Sequence, residues 1–361
     1  MRIMPSGFFL GKKDLGRKGF ELQFNWLFVL IAGAIFIAFF ISLMRNHSSD
    51  VEQASTLNAK QELDSLFRVN RASVNTQKVL SFSKRLDFST SNISGYFVDG
   101  SDVWNRYDYS VIFAPKFLDG DELMIKTSSF KAPFNVMPFI FLANNDLEFV
   151  FVGSDAVLSA VSLAMPENIT KKSLAGKSEM ASFKNNNYDH TVFVFTTDSF
   201  GGSMPLLANF QSPADKERVY AVVIDAAGGF ADAYGQVSFY NYSKGSLKLE
   251  GQSGFIGIEL LLGAVISHNQ RIYNREFRKA MNRLGLLADL QVRRVAEYSQ
   301  STQESCKAYY DSMSESLSYI KMLSASGRLM DDDILNMFNQ IINIKQLNTA
   351  LLQKTDCPLL Y

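Results

Sequence analysis

The chain has 361 residues, 47% hydrophobic and 13% aromatic, which is enough to bury a full core and excludes disorder as a general description. Lys plus Arg number 36 and Asp plus Glu 36, so there is no overall field to hold a polyanion and nucleic acid is excluded as a main partner. Two cysteines and three histidines are too few for a disulfide scaffold or a structural zinc site.

In chain order, residues 1–25 form a basic N-terminus carrying Arg2, Lys12, Lys13, Arg17 and Lys18. Residues 26–44 (WLFVLIAGAIFIAFFISLM) hold no charge over nineteen positions. At about 1.5 Å per residue this run matches a hydrocarbon layer of roughly 30 Å, and it is longer than the apolar core of a cleaved secretory signal. A single-pass transmembrane helix is the expectation, with the lipid bilayer as its partner. Because Arg45 is the only cation soon after the run, the positive-inside rule places the N-terminus in the cytoplasm and the rest outside the cell.

Arg17-Lys18-Gly19-Phe20-Glu21 followed by an apolar helix resembles the processing site of type IV prepilins, which implies cleavage after Gly19 and a pilin-like subunit. The glutamate stands second after that bond and not fifth, a departure from the bacterial pattern. Gln23-Phe24-Asn25-Trp26 with the apolar run is also similar to the start of uncharacterised membrane-anchored proteins from small-genome archaea, a resemblance that implies no activity.

Ser48-Ser49-Asp50 caps a helical stalk expected over 48–80, in which Val51, Ala54, Leu57, Leu63, Leu66 and Phe67 recur at helical spacing. An α/β domain is expected over 105–250. Its β-rich runs are 109–113, 122–125, 139–142, 147–152, 191–195, 219–224 and 236–240, and those starting at 147, 191 and 219 are nearly continuous apolar stretches, as in strands covered on both faces. Residues 155–164 read as a crossover helix, which predicts a partly parallel sheet. From 255 to 361 the texture is helical, with stripes at Tyr273, Phe277, Ala280, Met281, Leu284, then Tyr309, Met313, Leu317, Ile320, then Ile334, Phe338, Ile341, Ile344, Leu351. Gly327 and the acidic run from Asp331 mark the turn of an α-helical hairpin.

Four groups of residues bear on chemistry. Strand ends deliver Asp155, Asp198 and Asp225 to the edge where open parallel sheets place ligands, and three such carboxylates suit a divalent cation; the alternative is turn and cap duty for each. Arg271, Arg275 and Arg278 share one helix face, which suits an anionic partner surface or headgroup layer unless an acidic neighbour within the chain pairs them. Cys306 and Cys357 come to the same end of a hairpin turning near Gly327, so they form a disulfide or remain two unrelated thiols. His190 has no nearby Ser or Cys that sequence alone pairs with it, both His190 and His268 read as hydrogen-bonded structural residues, and no G-x-S-x-G, G-x-G-x-x-G or Walker motif occurs. With no catalytic motif and no cofactor signature beyond the cation, the function expected is a non-enzymatic, surface-facing interaction or assembly subunit with a protein partner or further copies of itself. The second reading is a cation-dependent enzyme or ligand-binding domain using the three aspartates.

Overall fold

The computed structural model describes residues 18–70, 75–82, 84–88, 94–99, 105–107, 109–180, 183, 190–201, 219–228, 232–243, 246–326, 331–354 and 356–361. Residues Met1–Leu57 form one compact unit and Asn58–Tyr361 another. The first unit is dominated by α1 (Lys18–Asn70), a helix of 53 residues that continues into the second. Residues 1–17, with most of the basic N-terminus, lie outside the described residues.

The expected membrane anchor is corrected here. Among the described residues no helix is long and apolar enough to cross a membrane. Without a span, the positive-inside argument has nothing to orient, and the single-pass and extracellular assignments lose their basis. The fold is therefore described as α/β with several sheets and C-terminal helices.

The second unit begins inside α1, where Leu63 and Phe67 are buried. Short strands follow: β1 (Gln77–Ser81), β2 (Leu86–Asp87), β3 (Gly95–Val98), β4 (Asn105–Arg106), β5 (Val111–Phe113) and β6 (Phe117–Leu118). Then come β7 (Glu122–Lys131), β8 (Asn135–Asn144), β9 (Leu147–Val152), helix α2 (Ala156–Ala164), β10 (Thr170–Leu174), the single turn α3 (Lys177–Met180), β11 (His190–Thr196), the single turn α4 (Thr197–Phe200), β12 (Val219–Ala227), β13 (Tyr234–Ser243) and β14 (Ser246–Ile256). Four helices complete the chain: α5 (Ile258–Ser267), α6 (Gln270–Ser301), α7 (Glu304–Ala325) and α8 (Asp331–Leu352).

Among the described residues the largest sheet has six strands in the order β10-β9-β11-β12-β13-β14. Its first four strands are parallel, with β11 paired to both β9 and β12, and β13 and β14 add antiparallel ladders. The three continuous apolar runs occupy β9, β11 and β12 because each faces cover on both sides. Phe149, Phe151, Val192, Val194, Val222 and Ile224 point into the main core, while Val150, Val152, Phe193, Phe195, Ala221 and Val223 alternate into a second cluster. A second sheet, β1-β7-β8-β5, is antiparallel except that β5 runs parallel to β8, and a small antiparallel sheet has the order β4-β3-β2-β6. Helix α5 packs against β5, β7 and β8 of the second sheet and β14 of the first, and α6 touches β5, β8 and β14. Helices α7 and α8 then stack in sequence, α8 returning to β13 and β14.

Candidate functional site

Strands β9, β11 and β12 lie side by side with Val152 opposite Phe195 and Thr196 opposite Ile224, so their C-terminal ends share one edge. Asp155 occupies the N-cap position of α2 with extended backbone, yet its side chain makes no capping hydrogen bond. Asp198 sits in the first turn of α4, where Thr196 and Ser199 form a capping box, and Asp225 is paired across the ladder with Gln236. All three carboxylates are exposed. Among the described residues, no group of three or more His, Cys, Asp or Glu side chains is arranged to hold a metal ion. The cation reading therefore rests on the common edge alone.

The basic stretch of α6 divides. Arg271 and Arg278 are exposed, but Arg275 is 8% exposed and turned inward. Its Nε lies 2.9 Å from Glu276 Oε1, Nη1 donates to the Phe88 carbonyl at 3.3 Å and Nη2 to the Tyr107 hydroxyl at 3.2 Å. Glu276 is fully buried and also accepts from Ser94 Oγ, Tyr107 Oη and the Ile112 amide, while Lys279 Nζ stands 2.7 Å from its Oε2. Burial, then the neighbouring Glu276 carboxylate, pushes the Tyr107 phenol well above its ordinary range. This network joins α6 to β5 and to the small sheet, and it removes Arg275 from any surface for a partner.

Cys306 on α7 and Cys357 beyond α8 are joined in a disulfide with their Cα atoms 5.8 Å apart. Tyr310 Oη donates to the Pro358 carbonyl at 2.8 Å beside it. Gly327, where the hairpin turn was expected, lies outside the described residues. Gly19 falls in the opening turn of α1.

Sequence patterns pass over one further site. A pocket of about 460 Å³ opens where β12, β13 and β14 meet the junction of α5 and α6, lined by Lys116, Tyr220, Asn241, Glu250, His268 and Arg271 among others. His268 ends α5 in a left-handed conformation (φ 34°), its amide donating to the Ala264 carbonyl at 2.9 Å. The imidazole is 2% exposed and its centroid lies 4.4 Å from that of the Tyr220 ring. Burial, with His190 nearby, lowers its pKa to about 3, so it is neutral at physiological pH. Glu250 Oε1 accepts from Asn269 Nδ2 at 2.8 Å and Oε2 from Asn241 Nδ2 at 3.5 Å. Burial raises the Glu250 pKa, against the Gln270 amide bonded to it and the Arg271 charge. Asn269 caps α6 by accepting from the Ile272 amide at 3.1 Å. That cap was the available sequence signal: an apolar run ending at His268-Asn269 before a helical stripe.

No protein-family model, no curated protein and no solved structure matches this chain.

Proposed function

We propose that the protein is a non-catalytic interaction or assembly subunit whose association element is the apolar stretch of α1. The observation that carries this reading is exposure: Trp26 is 69% exposed, Phe28 73%, Val29 67%, Phe36 65%, Phe39 58% and Phe40 58%. Isolated apolar side chains on a surface need no explanation, but a continuous run of large ones marks an interaction surface. Each such side chain covered by a partner helix contributes about 1.5–3 kcal/mol. Further copies of the same helix supply matching apolar surface, which favours self-assembly.

The test is sedimentation of the full chain beside a variant in which Phe28, Phe36, Phe39 and Phe40 are replaced by Gln. The full chain should sediment as a multi-copy assembly and the variant as a monomer. A full chain that is monomeric in plain aqueous buffer at micromolar concentration overturns the proposal.

A further inference from the structure

The pocket between β12–β14 and the α5–α6 junction holds polar groups that the fold leaves unmatched. His268 Nδ1 lies 3.0 Å from the Ile266 carbonyl. A carbonyl only accepts, so Nδ1 carries the proton and Nε2 carries a lone pair. Nε2 takes no hydrogen bond from a described residue, and His268, 2% exposed, stands at the pocket wall. Asn241 shows the same condition: its amide nitrogen donates to Glu250, while its Oδ1 is buried without a partner. Of these two acceptors without donors, Asn241 Oδ1 is the buried one, and buried polar groups are seldom left so.

The charges at the rim differ in sign from that deficit. Arg271 and Lys116 are both exposed and line the pocket, against the single carboxylate of Glu250. That carboxylate is committed to Asn269, Asn241 and the Gln270 amide. The balance left for a ligand is cationic. A volume of about 460 Å³ lies in the range of small-molecule sites.

We infer that this pocket binds a small hydroxylated carboxylate of sugar-acid size, its hydroxyls donating to His268 Nε2 and Asn241 Oδ1 and its carboxylate paired with Arg271 and Lys116. Neutral His268 keeps its lone pair across the physiological range, so acceptance at Nε2 does not require a change of protonation. The site is built entirely from residues 116–272 and does not depend on the assembly role of α1, so either idea can fail alone.

Calorimetric titration of the full chain with D-glucuronate is the test, with D-glucose lacking the carboxylate and acetate lacking the hydroxyls as comparison probes. Glucuronate should bind saturably at millimolar concentration or below, and each comparison probe at least about tenfold more weakly. The substitutions Arg271→Gln and His268→Asn should each weaken glucuronate by about tenfold; Asn tolerates the left-handed backbone at 268, and Arg271 is exposed, so folding is preserved. No saturable heat with glucuronate, equal affinity for acetate, or unchanged affinity in Arg271→Gln overturns the inference.

Discussion

Glu276 sits in a place with no exposure to solvent, where Arg275 and Lys279 flank it and three further donors complete its oxygens. A buried ion pair adds little net stability compared with apolar residues of the same shape, but removing one partner strands the other. Arg275→Gln is therefore expected to cost about 3–5 kcal/mol, measured as the loss of unfolding free energy in urea, while Arg278→Gln on the exposed face should stay within about 0.5 kcal/mol of the parent. Equal effects at the two positions would refute the assignment. The sequence shows the crowding of Arg271, Arg275 and Arg278 on one face and the need for an acidic neighbour. It does not show which arginine turns inward, because Ser94, Tyr107 and Ile112 lie more than 160 residues from Glu276 in sequence and are brought to it by the fold. Nor does it reveal the pocket at His268, whose unmatched acceptors exist only once β13 and β14 stand beside the α5–α6 junction.

At the scale of elements, helix α5 is buried from Leu260 through Ser267, with no polar face to produce a periodic stripe. This is why residues 258–267 carry no amphipathic signature while α6 does: helical periodicity reports a boundary with water, and α5 has none. Strand β14 is hidden for a different reason. Its sequence SLKLEGQSGFI contains two glycines and five polar side chains, a composition typical of turns, yet its ladder with β13 overrides that preference. The strongest strand signals, at β9, β11 and β12, are those of residues packed on both faces. Within α5, Gly263 meets the Phe113 ring so closely that a Cβ there would lie 2.7 Å from it. Phe113 has little room to yield, since the Phe139, Phe141 and Tyr273 rings lie 5.3, 5.7 and 5.8 Å away. Gly263→Ala gains about 1 kcal/mol of helix propensity but overpacks the core by up to about 3 kcal/mol. Net destabilisation of about 1–2 kcal/mol is expected in thermal or urea unfolding, and a stabilised variant would show that Phe113 can move.

For the whole molecule, the C-terminal tail closes the single disulfide loop that two cysteines allow and is also held without it. Leu360 is fully buried, its amide donates to Asn348 Oδ1 at 2.9 Å, and Asn348 Nδ2 donates to the Tyr361 carbonyl at 3.2 Å. The Tyr310 hydroxyl adds its bond to Pro358. These contacts belong to the native state, whereas the Cys306–Cys357 bridge acts chiefly on the unfolded chain by denying it the freedom of a loop spanning 51 positions. The chain-entropy argument assigns such a loop about 4 kcal/mol. The double substitution Cys306→Ala with Cys357→Ala should then lower unfolding free energy by about that amount while leaving the native near-ultraviolet dichroism of the folded protein intact, because the noncovalent tail contacts remain. Loss of the native signal before denaturant is added would mean instead that the bridge is what seats the tail against α7 and α8. A loss of stability below about 1 kcal/mol would mean that the unfolded chain already keeps the two ends together.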